Sequence, residues 1–146
     1  MTSLRSLLPG LLLLASGCHG VVTIVQPVEI NGTIATADGN DRPVFLEAYQ
    51  AWSGAGTLRY PLAFVDETVV DTPGDFQFTI ELPIEDGEGL VLYGWQDPDG
   101  DAALCAPGSD EELTGLVVLS EDEVADVVEA DLVLDIPCLG PTRLFP

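Results

Sequence analysis

The chain has 146 residues, of which 25 are Asp or Glu and 4 are basic, for a formal charge of −21; the basic residues are all Arg, and there is one histidine. That balance argues against nucleic acid and anionic lipid surfaces as partners, because both need a cationic footprint. Apolar residues still make up 47%, with the acids set among Val, Leu and Ile, which is the composition of a folded domain and not of an acidic disordered chain.

Leu7 to Cys18 reads Leu-Leu-Pro-Gly-Leu-Leu-Leu-Leu-Ala-Ser-Gly-Cys, with Arg5 ahead of it. A positive residue, an apolar run and then small residues form the layout of a secretory signal peptide. The run is shorter than the roughly 20 apolar residues a membrane-spanning helix needs. Pro9-Gly10 and the lack of a polar face argue against a core helix, and an ordinary signal or an uncleaved anchor is the remaining alternative. The ending Leu14-Ala15-Ser16-Gly17-Cys18 resembles the lipobox of bacterial lipoproteins, with Ala15 where that family most often has Leu. The resemblance implies cleavage before Cys18, lipid (palmitate among it) on that residue, and a membrane-anchored protein of the bacterial cell envelope. His19, and not Asp, follows the cysteine, which by the family's sorting rule favours the outer membrane. On this reading residues 1–17 are the signal peptide, 18–27 the lipidated N-terminus with a short tether, and 28–146 a single domain. Arg5 leaves with the signal, so the mature charge is 3 − 25 = −22. A shell this acidic and free of Lys resembles that of salt-adapted proteins and suits divalent cations, although a solubilising surface is the plainer reading.

Val21–Val25 has β propensity and is either a first strand or an apolar link. Glu29–Ala37 predicts a strand, with Asn31-Gly32 a turn or bulge signal inside it. Ala37-Asp38-Gly39-Asn40-Asp41 is a turn. Pro43–Gln50 predicts a strand with Val44, Leu46 and Ala48 on one face and Phe45, Glu47 and Tyr49 on the other. Ser53–Thr57 reads as a flexible loop, Leu62–Val70 as a returning strand, and Asp71–Asp75 as a break. Phe76, Phe78, Ile80 and Leu82 then alternate strictly with Gln77, Thr79 and Glu81, the signature of a half-buried strand. After a turn over Pro83–Gly89, Leu90–Gln96 is apolar on both faces, as a central strand is. Leu113–Leu119 is a further strand. Ser120-Glu121-Asp122-Glu123 matches a capping box and predicts a short helix through Val127. Val128, Ala130, Leu132, Leu134 and Ile136 alternate with Glu129, Asp131 and Asp135, predicting one strand with an acidic face. The tail, Leu139–Pro146, reads as irregular.

The turn, Pro43–Tyr49, the run Thr72–Leu82 and the apolar strand after it together resemble the carboxypeptidase-regulatory or transthyretin-like domains. The likeness covers Ile30 to Trp95, and Gly74-x-Phe76-x-Phe78 is its best element. It implies an all-β, prealbumin-like Greek-key β-sandwich of about seven strands, serving as a binding or structural module.

Two constellations carry chemistry. Asp97-Pro98-Asp99-Gly100-Asp101 offers hard carboxylate ligands at alternate positions, fit for Ca²⁺. It departs from the EF-hand spacing, and Asp110, Glu111 and Glu112 stand close enough in sequence to complete a shell. Pro-Asp-Gly is equally a plain turn signal. With Cys18 lipidated, Cys105 and Cys138 remain as an even pair in an oxidising compartment, which predicts a disulfide. It would close a loop of about 30 residues and contribute about 3 kcal/mol on the chain-entropy model; two free buried thiols are the alternative. Tyr49, Trp52, Arg59 and Tyr60 flank the Ser53–Thr57 loop as a candidate partner-binding patch, or else as packing residues.

Catalysis is poorly served. The single histidine, His19, rules out the two-His, two-Tyr iron site of the transthyretin-like dioxygenases and His-dependent nucleophile arrangements. Zinc ligands and a phosphate-binding loop are also missing. The expectation is a non-catalytic envelope module binding a protein or glycan, with a calcium-binding structural or adhesion module as the alternative and a carboxylate hydrolase a distant third.

Overall fold

Strict alternation builds the first sheet. In β4 (Asp75–Pro83), Phe76, Phe78, Ile80 and Leu82 are buried while Gln77, Thr79 and Glu81 face water. Each such side chain contributes roughly 1.5–3 kcal/mol before ordering entropy is subtracted. β4 pairs antiparallel with β1 (Val25–Thr36), setting Ile30 opposite Phe78 and Val28 opposite Ile80. The computed structural model describes residues 25–54, 57–83, 88–105, 112–120 and 123–145, without the side chains of 52–54, 57–61 and 88. The expected signal peptide, the expected lipidation of Cys18 and most of the Val21–Val25 run therefore lie outside the described residues.

The remaining strands are β2 (Val44–Gly54), β3 (Thr57–Val70), β5 (Glu88–Gln96), β6 (Leu113–Leu119), β7 (Val127–Glu129), β8 (Leu132–Leu134) and β9 (Ile136–Pro137). One sheet runs β4-β1, with β7 and β8 both on the far edge of β1; the other runs β3-β2-β5-β6-β9. Val28, Ile30 and Ile80 from the first meet Val44, Leu46, Ala48, Leu90 and Leu92 from the second in one core. The fold is an all-β sandwich. β5 is buried along its length from Gly89 to Gln96, as its two-faced apolar sequence predicts.

Several local expectations give way to packing. Asn31-Gly32 neither turns nor bulges: β1 pairs with β4 continuously from Val25 to Thr33. Gly32 is there because a Cβ would overlap the Ala130 carbonyl of the segment crossing β1. The Ser53–Thr57 loop is shorter than expected, since β2 runs through Gly54 and β3 begins at Thr57. Register shifts at Ala48/Tyr49 and Ala51/Trp52 absorb the extra residues of β3. Pro61 lies in the second shift, and β3 is an edge strand, where a proline is tolerated.

Only half of the capping box forms: Ser120 N–H and Oγ both donate to Glu123 Oε2 at 2.8 and 2.6 Å, while the Glu123 N–H donates to the Ser120 carbonyl instead of Oγ. No helix through Val127 follows, because Glu29 N–H donates to Asp126 O and the chain enters β7 at Val127. The predicted single strand 128–136 is divided into β7, β8 and β9. β7 and β8 run parallel to β1, while β9 runs antiparallel to β6 in the other sheet. Asp131 marks the first break: its Oδ1 accepts the Thr33 N–H and hydroxyl at 3.0 and 2.7 Å, filling the interrupted ladder. Gly115 lets the Val133 carbonyl approach β6. The tail is ordered, too, as α1 (Pro141–Leu144) followed by buried Phe145.

Candidate metal centre

The centre sits where β5 ends. Gln96, 1% exposed, donates its Nε2 to the carbonyls of Asn40 (3.0 Å) and Arg42 (2.9 Å), clamping the turn before β2 against the strand end. Asp97 follows and is 8% exposed. Its Oδ1 accepts the Gly100 N–H at 2.7 Å and its Oδ2 the Ala102 N–H at 2.9 Å. Asp99 Oδ1 accepts the Asp101 N–H at 3.1 Å, and Asp101 Oδ1 the Ala103 N–H at 2.8 Å. Each aspartate thus folds the loop back toward itself, as short acidic side chains do in turns. Gly100 has φ 76°, and Ala102 and Cys105 have φ 56° and 55°, values unfavourable for residues with a Cβ.

Glu112 comes from the other side, immediately before β6. It is 0% exposed. Its Oε2 accepts the Cys105 N–H, and its backbone carbonyl accepts the Cys138 N–H at 3.1 Å. Its Oε1 is buried with no hydrogen-bond partner. A carboxylate oxygen withdrawn from water and left unpaired is costly. One oxygen from each of Asp97, Asp99, Asp101 and Glu112 lies within 4.8 Å of all the others. Oxygens on opposite sides of a Ca²⁺ bound at roughly 2.3–2.6 Å stand about 4.6–5.2 Å apart, so all four can reach one such ion. The backbone bonds do not exhaust them, because each carboxylate oxygen carries two acceptor sites.

The charges are felt within the loop. Burial works to raise the Asp97 pKa, but hydrogen bonds from Ala102, Gly100, Asp99 and Asp101 together outweigh it and hold the carboxyl below its ordinary value. For Asp99 the Asp101 N–H works to lower it; partial burial and the charges of Asp101 and Asp97 outweigh that bond and push it up. Among the described residues, Arg42 is the cation that lines the adjoining hollow of about 330 Å³, together with Asp97 and Asp99.

The Cys105–Cys138 disulfide is formed, with Cα atoms 5.3 Å apart and a sequence separation of 33. Both cysteine amides bond to Glu112 atoms, so the cross-link brackets that residue.

Asp97, Asp99 and Asp101, expected as metal ligands, are therefore brought together, and Glu112 joins them; Asp110 and Glu111 lie outside the described residues. Of the expected partner patch, Tyr49 lies on the outer face of β2, donating its hydroxyl to Glu47 and meeting Phe64 edge-on at 5.8 Å. Trp52 and Arg59 are direct register partners across the β2–β3 hairpin, and Tyr60 follows on β3; their side chains lie outside the described residues. The sequence reading passed over Phe64 and Trp95 on this same face, although the alternation Phe45, Glu47, Tyr49 was its signal. Comparison with protein-family models, with curated proteins and with solved structures found no match.

Proposed function

We propose that this protein is a non-catalytic, calcium-binding β-sandwich module, carried on the bacterial cell envelope by lipid on Cys18. The observation that supports it is Glu112: a fully buried carboxylate with one unpartnered oxygen, standing with three aspartates inside the span of a single ion. All four donors are hard oxygens, the ligand class of calcium, while the two thiols nearby are consumed in a disulfide. The ion would offset the mutual repulsion of the carboxylates and tie the loop after β5 to the start of β6. The envelope placement rests on the lipobox-like Leu14–Cys18 and agrees with a disulfide, which persists in oxidising compartments. The Greek-key, transthyretin-like assignment belongs to the same proposal and rests on the Gly74-x-Phe76-x-Phe78 strand and the central β5. A second reading, binding of an envelope protein or glycan through Tyr49, Trp52, Arg59 and Tyr60, is supported by the backbone register that pairs Trp52 with Arg59.

The test is calorimetry with CaCl₂ and thermal melting in calcium or EGTA. Extracellular calcium modules bind at roughly 10⁻⁴–10⁻³ M, and calcium at a hundredfold excess over Kd adds about 2.7 kcal/mol to stability. Asp99→Asn and Asp101→Asn, both at exposed positions, weaken binding at least tenfold with the EGTA melt unchanged or raised. Absence of both heat and melting shift removes the reading.

A further inference from the structure

The outer face of the five-stranded sheet is not the polar surface that a sandwich usually turns to water. Strand register arranges it in rows: Val69, Phe45 and Trp95; Glu67, Glu47 and Tyr93; Phe64, Tyr49 and Val91. The chain covers part of this face itself. Phe145 packs on Ala51 and Val91, with Tyr49, Leu62 and Leu116 around it, and buried Tyr93 donates its hydroxyl to Leu139 O at 3.0 Å.

Among the described residues the rest is only partly covered, although Trp95 itself is 7% exposed. A hollow of about 430 Å³ is lined by Phe45, Glu47, Glu67, Val69 and Trp95, and Val69 and neighbouring Phe64 are 50% and 57% exposed. Phe45 is stacked on Trp95, with ring centres 4.3 Å apart and planes within 10°. Glu47 is fixed in place: its Oε1 accepts the Trp95 Nε1–H at 3.3 Å and its Oε2 accepts the Tyr49 hydroxyl. Glu67 is its direct register partner on β3. Like charges in that position repel, and among the described residues no cation is hydrogen-bonded or ion-paired to either.

We propose that this hollow binds an organic cation, an alkylammonium group of the choline kind. An ammonium bearing methyl groups suits walls of Phe and Val, is attracted to an aromatic face, and gives the two glutamates the charge they lack. A bare metal ion finds better ligands in the aspartate loop. A neutral sugar would use the aromatic rings but gains nothing from two opposed carboxylates.

The experiment follows the Trp95 indole N–H resonance while the purified protein is titrated with choline, with its neutral isostere 3,3-dimethylbutan-1-ol, with a lysine-rich peptide and with a neutral trisaccharide. Each titration is run both in saturating calcium and in EGTA, so failure at the metal centre does not decide the result here. Choline is expected to shift the resonance saturably and to bind at least tenfold tighter than the isostere. Glu67→Gln, at an exposed position, is expected to lose at least that factor with its melting temperature unchanged or raised. Equal binding of choline and the isostere, no response to choline, a response to the peptide or sugar alone, or full choline affinity in Glu67→Gln would each overturn the proposal.

Discussion

At the scale of single residues, Asp97 and Asp99 answer acid in opposite senses. Asp97 has a folded pKa below its ordinary 3.8, so its stabilising share is complete above 3.8 and is lost as pH falls through the lower folded value. Asp99 has a folded pKa above 3.8. Its charge opposes folding in the metal-free protein above that folded value, and protonation relieves this as pH falls. Calcium must compete with that proton, because a carboxylate ligand binds deprotonated. Calorimetric titrations at stepped pH should give a constant calcium affinity near neutrality and a decline that begins above pH 3.8, before Asp97 is protonated; an affinity flat down to 3.8 would contradict this. The three aspartates were legible in the sequence because they are contiguous and spaced by turn residues. Glu112 was legible only as one of three adjacent acids. Its selection comes from the start of β6, where Glu112 and Thr114 are fully buried although Thr114 lies opposite Trp95 in the outer-face row, and no local pattern announces that burial.

At the scale of elements, period-two alternation named the buried residues well and their partners poorly. Val128, Ala130, Leu132 and Leu134 are all buried as their spacing predicts. The pattern does not change when the segment leaves β1 for β6, so a single strand was the natural reading of what are three short ones. The same blindness applies to Asn31-Gly32, whose glycine serves a crossing backbone and not a turn. Gly32→Ala should therefore destabilise the protein by about 3 kcal/mol or more, since its Cβ meets a main-chain carbonyl that no rotamer change can move. Urea denaturation reads the loss. A change of less than about 0.5 kcal/mol, the usual size for a surface site, would mean the crossing can shift.

At the scale of the whole molecule, the disulfide and the proposed metal centre are one structure. The cross-link joins the loop that carries the aspartates to the end of β9, and both cysteine amides hold Glu112. Reduction should lower stability by about 3 kcal/mol on the chain-entropy model and weaken calcium binding in the same sample. Melting and calorimetry with and without reductant measure both; calcium affinity indifferent to reduction would show that the bracket around Glu112 stands without the bond. The even cysteine pair made this link legible, but its connection to the carboxylates depends on folded geometry that sequence spacing does not carry.

The crossing segment has a consequence for biosynthesis. Val127–Leu134 completes the neighbourhood of β1, and Phe145 seals part of the opposite sheet's outer face. A nascent chain halted before Val127 has neither, so its hydrophobic interior stays open until that segment emerges. Until then the polypeptide stays pliable, with the edge of β1 open to unintended pairing.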